Sequence, residues 1–262
     1  MSKDNSRTTP PTGREALRQR QQAAATADRR VSIAIRSAWI AGLAVAALLI
    51  GVTTWSIVGA RSGNTAGSVV AADGLVTPTS ASDSGAIVIG KPEAKVTVTV
   101  FLDFMCPYCG QFERANGSAL AAAVDNGTAK LEVHPMAFLD DLSAGTKYST
   151  RAANAFAAVA NHDPATALAF SQLLFAQQPA ENSAGLTDAT IGDLASKAGA
   201  PADVVASFSR QAYQPWVAKI TKQAFDSGIT GTPTVKINGQ TFTGDLYTAG
   251  PLAEAIKAAA NG

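Results

Sequence analysis

Apolar positions follow two regimes along this chain. Over Ser37–Ala60 they run for twenty-four residues without one charged side chain, and from Ala86 onward they come in short alternating groups and helical stripes. At ~1.5 Å rise per residue the first regime reaches the roughly 30 Å of a hydrocarbon core. Trp39 and Trp55 stand near its ends, where interfacial aromatic rings are favoured. The expectation is a single transmembrane helix over 37–60. Residues 61–85 are built mainly from Gly, Ser, Thr, Ala and Asp, with Pro78 as the one proline, and show no sustained apolar period. They read as a flexible tether with a reach of ~25–30 Å, in which Val69-Val70 hints at a short strand.

The second regime, residues 86–262, predicts one α/β domain. Ile87–Ile89 reads as a short strand broken by Gly90-Lys91-Pro92, and Lys95–Asp103 as a longer, central one. A helix starts at Cys106 or Pro107 and runs toward Asn126-Gly127, with a kink expected near Asn116-Gly117. Lys130–Met136 returns to strand alternation, which completes a βαβ unit. From about 145 to 227 the pattern is helical throughout. Helices are expected over Ser149–Asn161, from Asp163-Pro164, from Thr187-Asp188, from Ala200-Pro201 and over Gln214–Ser227, the last stopped by Gly228. Phe156, Phe170, Leu173-Leu174 and Trp216 take the core-facing positions of these stripes. Strands then resume at Thr234–Ile237 and Gln240–Thr243 around Asn238-Gly239, the strongest short-range hairpin signal. An amphipathic helix over Pro251–Ala260 ends the chain. The order is ββαβ, a helical insertion of about 83 residues, then ββα.

Charge sets the topology. Residues 1–36 carry eight Lys/Arg against three acids, a basic cytoplasmic leader by the positive-inside rule, so the chain after Arg61 is expected outside the cytoplasm. A cleaved signal peptide is the rival reading, and Val58-Gly59-Ala60 faintly resembles a cleavage site. The long leader and long apolar run oppose it, because a signal core spans about 7–15 residues. Arg29-Arg30 likewise reads as a topology determinant rather than a twin-arginine signal. No basic stripe or internal repeat points to nucleic acid.

The chemistry lies in the only two cysteines, Cys106-Pro107-Tyr108-Cys109, directly behind the central strand. A thiol at a helix N-terminus meets unpaired N–H groups and the positive end of the helix dipole, both of which favour the thiolate. Pro107 suits the first helical position. Two residues between the sulfurs suit a reversible disulfide, with Cys106 the attacking thiol, titrating below ~8.5, and Cys109 the resolving one. The same spacing is half of a zinc site, but zinc wants four ligands and the only histidines, His134 and His162, lack the spacing to supply the rest. No metal and no cofactor other than the cysteine pair is expected.

With these elements the chain resembles the thioredoxin superfamily, and within it the DsbA-like, membrane-anchored thiol-disulfide oxidoreductases of bacteria. Phe101-Leu102-Asp103-Phe104-Met105-Cys106-Pro107-Tyr108-Cys109-Gly110-Gln111-Phe112-Glu113 resembles the family's active-site segment. Gly231-Thr232-Pro233-Thr234 resembles its second signature. The resemblance covers 86–262 and implies a thioredoxin-like fold with a helical insertion. It implies that Cys106 and Cys109 are catalytic, with Pro107 and Tyr108 tuning them, and that Pro233 is a cis-proline facing the sulfurs. Thr232 would then pair through its main chain with extended substrates. A trans proline opening an edge strand is the bland alternative. One position departs from the family. Val100 stands where many members keep a buried acid, six residues before the first cysteine, and Asp103 is either a substitute acting through water or a solvated strand-end acid.

Cys-Pro-Tyr-Cys is also a glutaredoxin tetrapeptide, so it does not fix the direction of electron flow. The family resemblance implies an oxidase that takes electrons from reduced secreted or cell-envelope proteins. It would pass them to a membrane quinone-linked reoxidase of the DsbB or vitamin K epoxide reductase type. A reductase or isomerase with the same site, and an exported peptide-binding module without turnover, remain open at this point.

Overall fold

A computed structural model of the chain describes residues 69–70 and 74–262. The leader and the apolar 37–60 stretch lie outside the described residues. Among the described residues no helix is long and apolar enough to cross a membrane.

Two short strands, β1 (Val69–Val70) and β2 (Val76–Thr77), pair antiparallel. The main sheet has five strands in the order β3-β5-β4-β6-β7: β3 (Ile87–Ile89), β4 (Val96–Leu102), β5 (Ala129–Pro135), β6 (Thr234–Ile237) and β7 (Gln240–Thr241). Central β4 is parallel to β5, and the other neighbours are antiparallel. Helix α1 (Pro107–Asp125) makes the crossover from β4 to β5. Its assignment is unbroken through Asn116 and Gly117, where the sequence suggested a kink.

The helical insertion follows the expected starts closely: α2 (Tyr148–His162), α3 (Pro164–Ala176), α4 (Asp188–Ala198), α5 (Ala202–Ser207) and α6 (Gln214–Asp226). Local capping explains the boundaries. Asp163 accepts from the N–H groups of Ala165 and Thr166 at the head of α3, and the Thr187 hydroxyl accepts from Thr190 at the head of α4. Helix α6 ends before Gly228, whose φ of 87° is left-handed. Asn238 and Gly239 both take positive φ in the β6–β7 turn, as a type I′ turn requires. Helix α7 (Pro251–Asn261) closes the chain.

One core joins sheet and insertion. Phe104, Phe112, Tyr148, Phe156, Phe170, Leu174 and Trp216 are all fully buried, and Leu173 is half-buried. Phe104 packs its ring against Phe156 of α2 and Phe175 of α3 at centroid distances of 5.6 and 5.2 Å. The turn carrying the cysteines is therefore wedged on the insertion through an aromatic cluster.

Residues just upstream of Ala86 also make contacts to α2, β3 and α6. The Thr79 N–H and hydroxyl donate to Asn161 Oδ1 on α2 at 2.9 and 3.3 Å. Val88 N–H donates to Ser80 O at 2.9 Å, and Ala81 bridges to Ile87. At Gly85, with φ 81°, a Cβ would collide with Ile220 of α6. These contacts are mostly backbone hydrogen bonds and turns, which leave no apolar period, so composition alone reads the segment as tether.

Candidate active site

Strand β4 delivers Asp103 and the cysteines at the centre of the sheet's C-terminal end. Cys106 is the N-cap of α1 and Pro107 its first residue, so the turn is fixed by the proline ring and by the Cys106 N–H donating to Asp103 O at 3.0 Å. Gln178, just past α3, reaches in from the insertion. Its Nε2 donates to the Cys106 carbonyl at 2.8 Å and the Phe104 carbonyl at 3.2 Å. Position 110 is glycine where a Cβ would strike that same glutamine side chain.

The two sulfurs have different surroundings. Cys109 is wholly buried, and its Sγ accepts from the Asp103 N–H at 3.5 Å. Cys106 is 5% exposed, at the surface end of the pair, beside Tyr108, which is 57% exposed. Across the sheet end, the Thr232–Pro233 peptide is cis, and the Cys106 thiol donates to the Thr232 carbonyl at 3.2 Å. The Thr232 hydroxyl is buried without a hydrogen-bond partner of its own. The structure thus brings Cys106, Pro107, Tyr108, Cys109, Thr232 and Pro233 together at one end of the sheet. His134 lies elsewhere, in β5, stacked on Phe101 at 4.2 Å with burial and Lys236 holding it down to about 4. His162 ends α2.

The electrostatics separate the thiols further. A hydrogen bond from Cys109 is the main influence holding Cys106 down to about 6, against the opposing effect of burial, with the amides of Cys109 and Tyr108 adding to it. Burial is the main reason Cys109 is pushed well above an ordinary thiol, and the neighbouring Cys106 charge adds to it. At neutral pH this is a thiolate next to a thiol. Such a pair can attack a partner's disulfide through Cys106, expelling one of its thiolates, and the mixed disulfide is then broken by Cys109, which closes the Cys106–Cys109 bond and expels the second.

Asp103 is not a solvated strand-end acid. It is fully buried, and its carboxylate accepts from Met105 N–H at 2.8 Å, Ser149 hydroxyl at 2.7 Å and Leu139 N–H at 2.8 Å. Burial raises it to about 6 despite those three donors. It ties the cysteine turn, the loop after β5 and the head of α2 into one unit. Gln178, Ser149 and Leu139 carry no motif, because their partners are 36 to 74 residues distant in the chain. Glu113, one turn beyond Cys109, is a half-buried acid, raised to about 7 by desolvation.

An alkylation profile checks this asymmetry. Modification of Cys106 in the reduced protein is expected to rise through pH about 6, with Cys109 far slower at every pH tested. A faster Cys109 would reverse the assignment.

Comparison with known proteins agrees with this geometry. The thioredoxin family (Thioredoxin_4) matches residues 82–258. The chain is similar to the reduced disulfide bond oxidoreductase DsbG of Mycobacterium tuberculosis, at 26% identity and a TM-score of 0.57, covering 70% of this chain and 97% of that one. It is similar to reduced DsbA of the same organism, at 26% identity and a TM-score of 0.55, covering 67% and 98%. A curated relative, the serine/threonine-protein kinase PknE of M. tuberculosis, is 37% identical over 118 residues, which span 44% of this chain but only 21% of the kinase.

Proposed function

We propose, from the premise that the chain belongs to the thioredoxin family and is a protein thiol-disulfide oxidoreductase, that it works outside the cytoplasm as an oxidase of secreted and cell-envelope proteins. The observation that supports this direction most is the contrast between a Cys106 sulfur that favours ionisation and a Cys109 sulfur that disfavours it. Stabilising the Cys106 thiolate stabilises the reduced form, and a protein whose reduced form is stabilised is a strong oxidant.

The reaction runs on the cysteine pair without a further cofactor. A substrate thiolate attacks Cys106 Sγ of the Cys106–Cys109 disulfide, that bond breaks, and Cys109 leaves with the electron pair and takes up a proton. The substrate's second thiolate then attacks its own sulfur in the mixed disulfide and expels Cys106 as a thiolate. The substrate loses two electrons and the pair gains them. Of the two sulfurs, Cys106 at 5% exposure is the one a substrate thiolate reaches, Cys109 being wholly buried. Thr232, with its main chain beside Cys106, aligns an extended substrate strand, Pro233 holds that loop, and Pro107 and Tyr108 shape the helix start. A membrane quinone-linked reoxidase of the DsbB or vitamin K epoxide reductase type would restore the disulfide.

The setting rests on the sequence: the basic leader over 1–36, the uncharged stretch over 37–60, a tether beyond it, and no cysteine besides the pair. Rapid acid quenching of intact cells followed by alkylation tests the direction. An oxidase rests with Cys106 and Cys109 joined. A resting pool that is mostly dithiol would assign the chain to reduction or isomerisation instead.

A further inference from the structure

Of the exposed large apolar side chains among the described residues, Tyr108 and Tyr247 are neighbours, with ring centroids 5.9 Å apart and planes inclined at 50°. They come from segments almost 140 residues apart. Tyr108 lies between the cysteines, and Tyr247 lies in the loop between β7 and α7. Strand β7 runs antiparallel to β6 and carries the chain back to the sheet end where Thr232-Pro233 opens β6. Asn116, a 2%-exposed residue of α1, fixes the loop there: its Nδ2 donates to the Leu246 carbonyl at 2.7 Å as well as to Phe112 O at 3.1 Å. A buried amide in the cysteine-bearing helix thus sets the position of Tyr247. Asp245, fully exposed, accepts from the Tyr247 N–H at 2.7 Å.

We propose that Tyr108 and Tyr247 form an aromatic clamp at the mouth of the site that favours an apolar or aromatic residue next to the reacting cysteine of a polypeptide and disfavours an acidic one. The inference rests on the exchange reading above. A substrate strand laid along Thr232 must bring its cysteine to Cys106, and the residue beside that cysteine then meets the two rings. The Tyr247 ring packs against Tyr108, the residue between the two cysteines, which places it at the reacting end of that path. Two adjacent solvent-facing rings gain from being covered by an apolar side chain, and tilted aromatic contacts add to the gain. The Asp245 carboxylate beside them repels a carboxylate on the substrate.

The test uses the oxidised full-length protein and reduced synthetic peptides with a single cysteine flanked by Tyr, Leu, Ala or Asp. The readout is the ratio of mixed-disulfide formation rates, which general damage to the protein leaves unchanged. The wild type is expected to react about three- to tenfold faster with the Tyr-flanked than the Ala-flanked peptide, the worth of one aromatic contact, and slowest with the Asp-flanked one. Tyr247→Ala is expected to bring the Tyr-to-Ala ratio below about two, and Tyr247→Phe to keep it, since the ring carries the effect. A flat wild-type profile, or a ratio unchanged in Tyr247→Ala, overturns the clamp. Failure of the wild type to react with any peptide or with dithiothreitol would sink the exchange reading, and the clamp with it.

Discussion

A Cys109→Ala protein is expected to lose oxidising turnover completely and to accumulate covalent adducts with other proteins. The loss follows from stoichiometry, because the oxidising form is the Cys106–Cys109 disulfide and one thiol cannot hold it. The adducts follow from the remaining Cys106, which keeps the helix N-terminus, the Tyr108 amide and Thr232 around its sulfur, and so stays a nucleophile for disulfides in its partners. Once a mixed disulfide forms, the thiol that would attack it from one helical turn away is gone. Release then waits for an outside thiol, without the large effective concentration of an intramolecular one. Slower-migrating species on a non-reducing gel, absent with reductant and absent in Cys106→Ser, are the measurement. Adducts formed by Cys106→Ser and absent from Cys109→Ala would mean that the roles are exchanged. A Cys106→Ser protein that still binds peptides but performs no exchange would separate recognition from chemistry.

Asp103→Ala is expected to destabilise the protein substantially, with a pH dependence that identifies the cause. Removing the carboxylate strands three donors, Met105 N–H, Leu139 N–H and the Ser149 hydroxyl, at about 1–3 kcal/mol each. Against this, the wild type carries the cost of an ionised buried acid above pH 6. A rise from 3.8 to about 6 corresponds to ~3 kcal/mol at ~1.4 kcal/mol per unit. The net loss is then on the order of 3 kcal/mol at pH 8. Because the folded state binds this proton more tightly than the unfolded chain does, the group's contribution is fully present below pH 3.8 and is lost as pH rises through about 6. The stability gap between wild type and Asp103→Ala should therefore widen as pH falls from about 6 toward 4. Denaturant titrations of the oxidised proteins measure it, since neither cysteine titrates in that form. A gap independent of pH would show that Asp103 is not the titrating group.

What the sequence revealed and what it hid divide along one line. The Cys106–Cys109 pair with Pro107, the Asn238-Gly239 turn, the Asp163 and Thr187 caps and the helical stripes around Phe156 and Phe170 are all local signals, written within a few residues. Thr232-Pro233 became legible only through its resemblance to a known signature. Asp103 had no such aid. Its neighbours along the chain suggest the exposed end of a strand, and its burial is imposed by Leu139 and Ser149, far along the sequence. Gln178 and Asn116 were silent for the same reason: each is a polar residue whose meaning lies in a distant carbonyl. The hold on Thr79 was silent too, because it rests on hydrogen bonds to Asn161, far along the chain.

That early attachment also determines how the domain carries mechanical load. A pull applied at Pro78 is met by the Thr79–Asn161 hydrogen bonds and by the Val88–Ser80 and Ser82–Ala86 backbone bonds. These engage α2 and β3, and β3 is an edge strand with β5 between it and the cysteine-bearing strand. Tension would therefore strip the edge of the sheet before it reached β4, leaving the spacing between Cys106 and Thr232 intact while the first bonds give way. A load entering at Pro78 would thus leave the reactive sulfur in register.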